Sequence, residues 1–441
     1  MQSSRQTALN WLLEVIDGRS VNELMSRPLD ELSPQDVAFA KNLLFGILRY
    51  YHQLQTISQN LLQKPLKSKD ADVSLVIMIG LYQLKYLSTP DHAAISESVE
   101  LIKSRKKNWA AGLVNGVLRS FQRESAELEK KLAKSLQYQF SHPGWMVKQL
   151  RADWGDEADN ILTENNQKAP MVLRVNTTKV TREACIENLN NQSIPSIPHP
   201  VAPDGIVLES AVDVSALPGF NQGELTVQDA APQLAVELLS LENAESVLDG
   251  CAAPGGKTGH IVQRAQNAKV LAVELSENRA KRIAQTLTRL SLSASIKVAD
   301  FLDTNAWWDG ELFDRILLDV PCSASGVIRR NPDIKLHRKV TDLKALVEIQ
   351  QNMLRQAWDM LAPDGVLVYA TCSVFKQENE SQMLAFADSL TKQSTSFEWI
   401  TMPSNIETQL SERAKVGYQI IPGEFEMDGF YLCGIKKVAK N

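Results

Sequence analysis

A chain of 441 residues exceeds one ordinary domain, so two or three are expected. Hydrophobic residues make up 44% and charged ones 22%, with no biased tract, which excludes a disordered chain. No apolar run reaches the roughly 18 residues of a membrane span, and the net charge of −5 weighs mildly against a nucleic-acid partner.

The opening run Met1-Gln-Ser-Ser-Arg5 lacks the apolar core of a signal peptide. The five cysteines are odd in number and form no Cys-x-x-Cys pair, so neither a disulfide framework nor a zinc site is expected. A cytoplasmic protein with reduced thiols, no metal and no membrane partner follows as the expectation. Up to about residue 135 the chain reads as all-helical. Leu43, Phe45, Ile47 and Leu48 share one apolar helix, Leu75 to Leu84 form a central one, and Leu113, Val117, Leu118 and Phe121 recur at helical spacing. Lys41 to Arg123 holds twelve Lys/Arg against five Asp/Glu, densest at Lys103, Arg105, Lys106 and Lys107. That run is either a solvated helix end or a phosphate-binding patch.

Residues 140 to 225 read as a small α+β module. Leu173 to Asn176 alternates like a strand, Thr181 to Leu189 reads as a helix, and Gly205 to Leu208 is a strand behind Pro195, Pro198, Pro200 and Pro203. From 226 to 441 strands and helices alternate. The strands are Val247–Asp249, Lys269–Glu274, Ile296–Asp300, Ile316–Asp319 and Val366–Ala370, and a helix runs from Leu343 to Leu361. This pattern predicts a parallel sheet covered by helices, with ligands at the carboxyl ends of its strands.

The first of these strands enters Gly250-Cys251-Ala252-Ala253-Pro254-Gly255-Gly256-Lys257-Thr258. Glycines let backbone approach a ligand, and the following helix offers free N–H groups. The dinucleotide spacing G-x-G-x-x-G is missing. Gly256-Lys257-Thr258 fits the end of a phosphate loop, but Cys251 stands where its first glycine belongs. A nucleotide hydrolase, with Asp319 holding magnesium, is therefore the rival reading. An S-adenosylmethionine site fits better. Its loop wraps the methionine part, Glu274 meets the ribose hydroxyls, and Asp300 meets the adenine amine. Glu274 as a mere helix cap is the plainer alternative.

Two cysteines follow predicted strands, Cys322 after Asp319-Val-Pro and Cys372 after Thr371; Cys185 and Cys433 read as small buried hydrophobes. A thiolate adding to carbon 6 of cytosine makes carbon 5 nucleophilic toward a sulfonium methyl, and losing the carbon-5 proton later expels the thiol. Asp319 either stabilises that adduct at N3 or N4 or touches only the cofactor. The residues do not rank the two thiols, and no base for the carbon-5 proton is assigned. The run Gly326 to Lys339 carries five Arg/Lys against one Asp and reads as phosphate contacts beside the site, or as a solvated loop.

Asp249-Gly-Cys-Ala-Ala-Pro-Gly-Gly-Lys257, Asp319-Val-Pro-Cys-Ser-Ala-Ser-Gly326 and Tyr369-Ala-Thr-Cys-Ser373 resemble the motifs of RNA cytosine-5 methyltransferases. End to end, the chain is similar to the bacterial 16S ribosomal RNA enzymes of the Sun/Fmu type. The resemblance implies a NusB-like, all-α RNA-binding domain (1–135), a ferredoxin-like α+β module (140–225) and a Rossmann-like α/β methyltransferase domain (226–441). It implies S-adenosyl-L-methionine held by Cys251 to Lys257, Glu274, Asp300 and Asp319. It also implies that Cys372 is the nucleophile and that Cys322 assists release. DNA cytosine-5 enzymes attack with the Pro-Cys cysteine, which points to Cys322 instead. Val320 stands where alanine is common in the family, a conservative departure. The expected partner is 16S rRNA, naked or partly assembled, with its cytosine flipped out, and the working enzyme is a monomer. An RNA-binding assembly factor without catalysis is the remaining alternative.

Overall fold

The helix Ala71–Tyr86 is apolar on every face, and such a helix is stable only when surrounded. In the computed structural model it is the axis of a helical unit, with Leu75 through Gln83 all buried. The structure describes residues 3–27 and 32–439, so Met1 and Gln2 of the opening run lie outside the described residues. The chain divides into two compact units, Met1–Gln167 with Ile328–Arg338, and Lys168–Val327 with Lys339–Asn441.

Around the central helix pack Ser4–Ile16, Pro34–Arg49, Tyr51–Leu61, Asp91–Ser104 and Ala111–Leu132. Leu43, Ile47, Leu48, Val117, Leu118 and Phe121 all enter this core, as their spacing predicts, while Phe45 is only partly covered. The run at Lys103 to Lys107 closes the helix Asp91–Ser104. Much of its charge is spent inside the protein: Lys107 Nζ lies 2.9 Å from Asp70 and 2.6 Å from Asp72, and Lys103 lies 2.7 Å from Glu100.

The segment 328–338 corrects a sequence expectation. Lys335, read as a phosphate contact, is 1% exposed inside the helical unit. Its ammonium donates to the carbonyls of Arg49 and Ser141 and to Asn166 Oδ1. Arg329 is also buried, and its carbonyl accepts from the Arg49 guanidinium at 3.1 Å. Asp333 accepts from Val21 N at 3.1 Å, and His337 contacts the Val15 carbonyl at 2.7 Å. The segment is thus a strut of this unit: an apolar-packed helical body with open carbonyls takes up the donors that the sequence made look solvated.

The second unit begins with a four-stranded antiparallel sheet in the order β2-β3-β1-β4: β1 (Met171–Val175), β2 (Ser196–Pro198), β3 (Gly205–Leu208) and β4 (Leu225–Val227). The helix Arg182–Asn191, capped by Thr181, contributes Cys185 and Leu189 to its core. Arg174 of β1 is wholly buried and donates to the Gly256 carbonyl at 2.6 Å, tying this small module to the end of the Gly-rich loop 250–256. A second tie is ionic, with Arg264 lying 2.9 Å from Asp204 and 2.7 Å from Glu237.

The large sheet runs β10-β12-β9-β8-β5-β6-β7. Its parallel part is β5 (Ser246–Gly250), β6 (Lys269–Glu274), β7 (Ser295–Val298), β8 (Phe313–Asp319) and β9 (Leu361–Thr371). β10 (Phe397–Ile400), β11 (Tyr418–Ile420) and β12 (Phe430–Lys437) add an antiparallel edge, so the sheet is mixed and not purely parallel as expected. β7 also stops two residues short of Asp300; its last rung is Ala299 N donating to the Glu274 carbonyl at 3.1 Å.

Candidate active site

Parallel pairing explains how two cysteines fifty residues apart can meet. Asp319 of β8 is in register with Ala370 of β9, so the loops leaving these strands emerge side by side. Cys322 Sγ and Cys372 Sγ are 3.5 Å apart, Cys322 buried and Cys372 partly exposed. The hydrogen bond with Cys372, and then burial, push the Cys322 thiol well above its ordinary pKa. Cys322 is therefore held as a neutral thiol. Cys185 and Cys433 are buried as expected, and burial raises the Cys433 pKa to about 12.

Lys257 feels this pair through the charge of Cys372, the smallest of the influences on it. Burial pulls its pKa down, but Asp319 Oδ2 at 2.5 Å more than offsets this, and Asp249 and charge on Cys372 add to the net upward shift. A firmly protonated lysine thus stands beside a thiol and a carboxylate, its ammonium 5.5 Å above the Phe430 ring. The next residue, Thr258, is fully buried and donates to Asp249 Oδ2 at 2.6 Å. In a phosphate loop these two side chains would hold phosphate and magnesium; here both are turned onto carboxylates of the sheet, which counts against the nucleotide-hydrolase reading. Burial lifts the Asp249 pKa to about 7.

The loop from Cys251 to Gly255 is a tight cradle. Cys251 has φ +63° and Gly255 φ +95°, and a Cβ on Gly255 would lie 3.0 Å from Ile283 Cα, so glycine is required there. Ala252 N bonds to the Val273 carbonyl at 3.1 Å, and Pro254 O accepts from Thr286 at 3.0 Å. Burial, and then Asp319 and Glu274, raise the Cys251 pKa to about 12, so that thiol is inert. Gly256 starts the helix Gly256–Arg264, whose first N–H groups face the loop. Glu274, at the end of β6, is 2% exposed and accepts from Ala253 N at 3.3 Å and Ser276 N at 3.1 Å. It thus contacts both the loop and the residue that caps the next helix. Asp300 is exposed and accepts from Leu302 N at 2.9 Å.

The sequence reading missed a buried polar clamp behind the thiols. Glu378 accepts from Ser323 N at 2.8 Å, Gln350 Nε2 at 3.1 Å and Ser373 Oγ at 2.6 Å. Ser323, Ser325 and Ser373 hydroxyls lie 3.0–3.1 Å apart. One carboxylate thereby fixes the loop after β8 to the loop after β9. The loops are also stitched through backbone, Gly326 N to Cys372 O at 3.0 Å and Gly429 N to Gly326 O at 2.9 Å. The Ser residues flanking each cysteine were visible in sequence; Glu378, in a 3₁₀ turn, carried no signal.

Residues 236–436 match the family model of the 16S rRNA methyltransferase RsmB/F, residues 142–215 the ferredoxin-like domain of RsmF/B-like methyltransferases, and residues 2–123 the NusB family. The chain is 41% identical over 434 residues to ribosomal RNA small subunit methyltransferase B of Vibrio cholerae, covering 98% of this chain and 97% of that one. It is 40% identical over 437 residues to the protein of the same name in Pseudomonas putida, covering 99% and 98%. Its fold resembles the crystal structure of PH0851, with a TM-score of 0.76, 21% identity and 92% of each chain covered. A methyltransferase homolog from Pyrococcus horikoshii gives a TM-score of 0.58 at 26% identity, covering 68% of this chain and 97% of that one. With such identity across nearly the whole of both chains, the protein belongs to the family of 16S rRNA methyltransferases, type B, of the ribosomal small subunit.

Proposed function

We propose that the protein methylates carbon 5 of a cytosine in 16S rRNA through a covalent adduct between Cys372 and carbon 6. The carrying observation is the thiol pair, 3.5 Å apart beside the Lys257–Asp319 ion pair. The cradle from Cys251 to Lys257 suits S-adenosylmethionine: its tight turn needs glycine at 255, and Glu274, which accepts from Ala253 N in its wall, is assigned to the ribose hydroxyls. When bound, S-adenosylmethionine supplies an electrophilic methyl group. Asp300 is assigned to the adenine amine, and Asp319 to the cytosine N3–N4 edge.

Cys372 is the attacking thiol because it is the exposed member of the pair and has the Lys257 cation beside it. The thiol proton passes to solvent, the thiolate sulfur bonds to carbon 6, and the electron pair of the carbon 5–carbon 6 double bond makes carbon 5 nucleophilic. After methylation water takes the carbon-5 proton, the double bond re-forms and the sulfur–carbon 6 bond breaks, its electron pair returning to sulfur as thiolate. Cys322, held as a thiol, donates its hydrogen bond to the departing Cys372 sulfur and so assists release. Asp319 meets the N3–N4 edge of the base, where charge builds in the adduct.

The same reading gives 1–135 RNA binding, 140–225 support of the cofactor loop and 226–441 catalysis, in a monomer working in the cytoplasm on naked or partly assembled 16S rRNA. No helix among the described residues is long and apolar enough to cross a membrane. The test is transfer of labelled methyl from S-adenosylmethionine to unmodified 16S rRNA, followed by bisulfite sequencing. One protected cytosine is expected; label at another base or atom, or no transfer, refutes the reading.

A further inference from the structure

The helical unit carries a groove of about 860 Å³ between the end of the helix Tyr51–Leu61 and the helix Ala111–Leu132. Its floor is Gly112 and Gly116, both exposed, and a Cβ at either would meet nothing within 4 Å. Space of this kind lets a backbone or sugar approach closely.

Three lysines, Lys64, Lys67 and Lys69, line the groove and are exposed. None of their ammonium groups has an ion-pair or hydrogen-bond partner among the described residues. The acid in the lining, Asp70, is buried and already pairs with Lys107 at 2.9 Å. The field in the groove is therefore positive. At the mouth stands Trp109, 60% exposed, the most exposed aromatic side chain among the described residues. A free indole beside an open basic groove is the combination that binds unpaired nucleic acid: bases stack on the ring and phosphates track the cations. Leu61, Leu62, Leu66 and Val117 add apolar lining, but an amphipathic protein helix would leave the three unpaired lysines without anions, whereas a nucleic-acid strand meets both the ring and the cations.

We propose that this groove holds a single-stranded segment of the RNA substrate, with one base stacked on Trp109 and the phosphates met by Lys64, Lys67 and Lys69. The inference rests on the reading that the protein acts on 16S rRNA, and it names the surface of the helical unit that meets the RNA.

The experiment compares full-length wild type, Trp109→Ala, Trp109→Phe and the triple variant Lys64→Gln/Lys67→Gln/Lys69→Gln. Binding of naked 16S rRNA is measured across a salt series, with kcat and KM for methylation measured alongside. Trp109→Ala is expected to weaken binding about tenfold and Trp109→Phe to restore most of it. The triple variant is expected to flatten the slope of log affinity against log salt by about 2. In both weakened variants KM rises and kcat at saturating RNA stays at the wild-type value. Wild-type binding and KM in every variant would overturn the proposal while leaving the methyltransferase reading intact. A loss confined to partly assembled subunits, with naked RNA bound normally, would assign the groove to a protein and also overturn it. A wild-type enzyme that neither binds nor methylates any RNA would take down both readings.

Discussion

Lys257 and Lys335 are both withdrawn from water, yet the two units treat their charge in opposite ways. Lys257 meets the Asp319 carboxylate, and its pKa rises despite burial. Lys335 meets two carbonyls and an amide oxygen; burial, and then Arg49, push its pKa well below the ordinary lysine value. A carboxylate returns more than desolvation takes away, whereas neutral acceptors do not. The first arrangement keeps a cation charged at the carboxyl ends of the parallel strands. The second spends hydrogen bonds on holding a strut. Both lysines lie in basic motifs that look functional in sequence, and the partner atoms alone separate them.

Substitution at each lysine sharpens the contrast. Lys257→Met removes the cation paired with Asp319 and, on the proposed mechanism, should lower kcat by about 10²–10³-fold, by analogy with loss of one preorganised donor. Its melting temperature should fall as well, because Asp319 is left without its partner. Lys335→Ala leaves three acceptors without a donor and should cost the helical unit about 3–4 kcal/mol. That loss is read by denaturant unfolding, with kcat unchanged well below the melt. If Lys335→Ala instead weakened RNA binding at full stability, the strut reading would fail and the phosphate reading would return.

Glu378→Gln offers a smaller effect. The amide keeps one acceptor but turns donors toward Ser323 N–H or the Ser373 hydroxyl, costing about 2 kcal/mol. Loosened thiol loops should then lower kcat about tenfold, with KM for RNA unchanged.

The gentlest test is pH. Burial lowers the pKa of His260 to about 3 and of His199 and His52 to about 4. Unfolded histidine titrates near 6.5, so below that value the unfolded chain binds more protons. Their contribution is complete above about pH 6.5 and is lost as pH falls toward 4, and the melting temperature should drop across that window in both units. Lys335 has the same sign higher up: between its lowered folded value and about 10.4, stability rises with pH. Lys335→Met should flatten that alkaline rise and leave the acid limb as it was.

The parallel strands were legible because fully buried strands leave continuous apolar runs with acids or glycines at their ends. Glu274 and Asp319 are placed as the pattern predicts, and Asp300 lies just past its strand. β12 was not legible. Its pairing partner, β9, lies some sixty residues earlier, and nothing local in Phe430–Lys437 announces that edge. The strut 328–338 was misread for a similar reason, since the acceptors for Lys335 come from Arg49, Ser141 and Asn166, far away in the chain. Clustering at Lys103 to Lys107 drew attention to charges that fold onto Asp70, Asp72 and Glu100, while Lys64, Lys67 and Lys69, spaced singly, stay free to meet a ligand.

The division of labour between the two thiols is most directly tested on a denaturing gel. Wild type, Cys322→Ala, Cys372→Ala and the double variant are each incubated with S-adenosylmethionine and unmodified 16S rRNA. Covalent RNA–protein complex should accumulate only with Cys322→Ala, where attack proceeds and release is impaired, and should vanish when Cys372 is also removed. Complex or methyl transfer persisting in Cys372→Ala would contradict the account and hand the attack to Cys322.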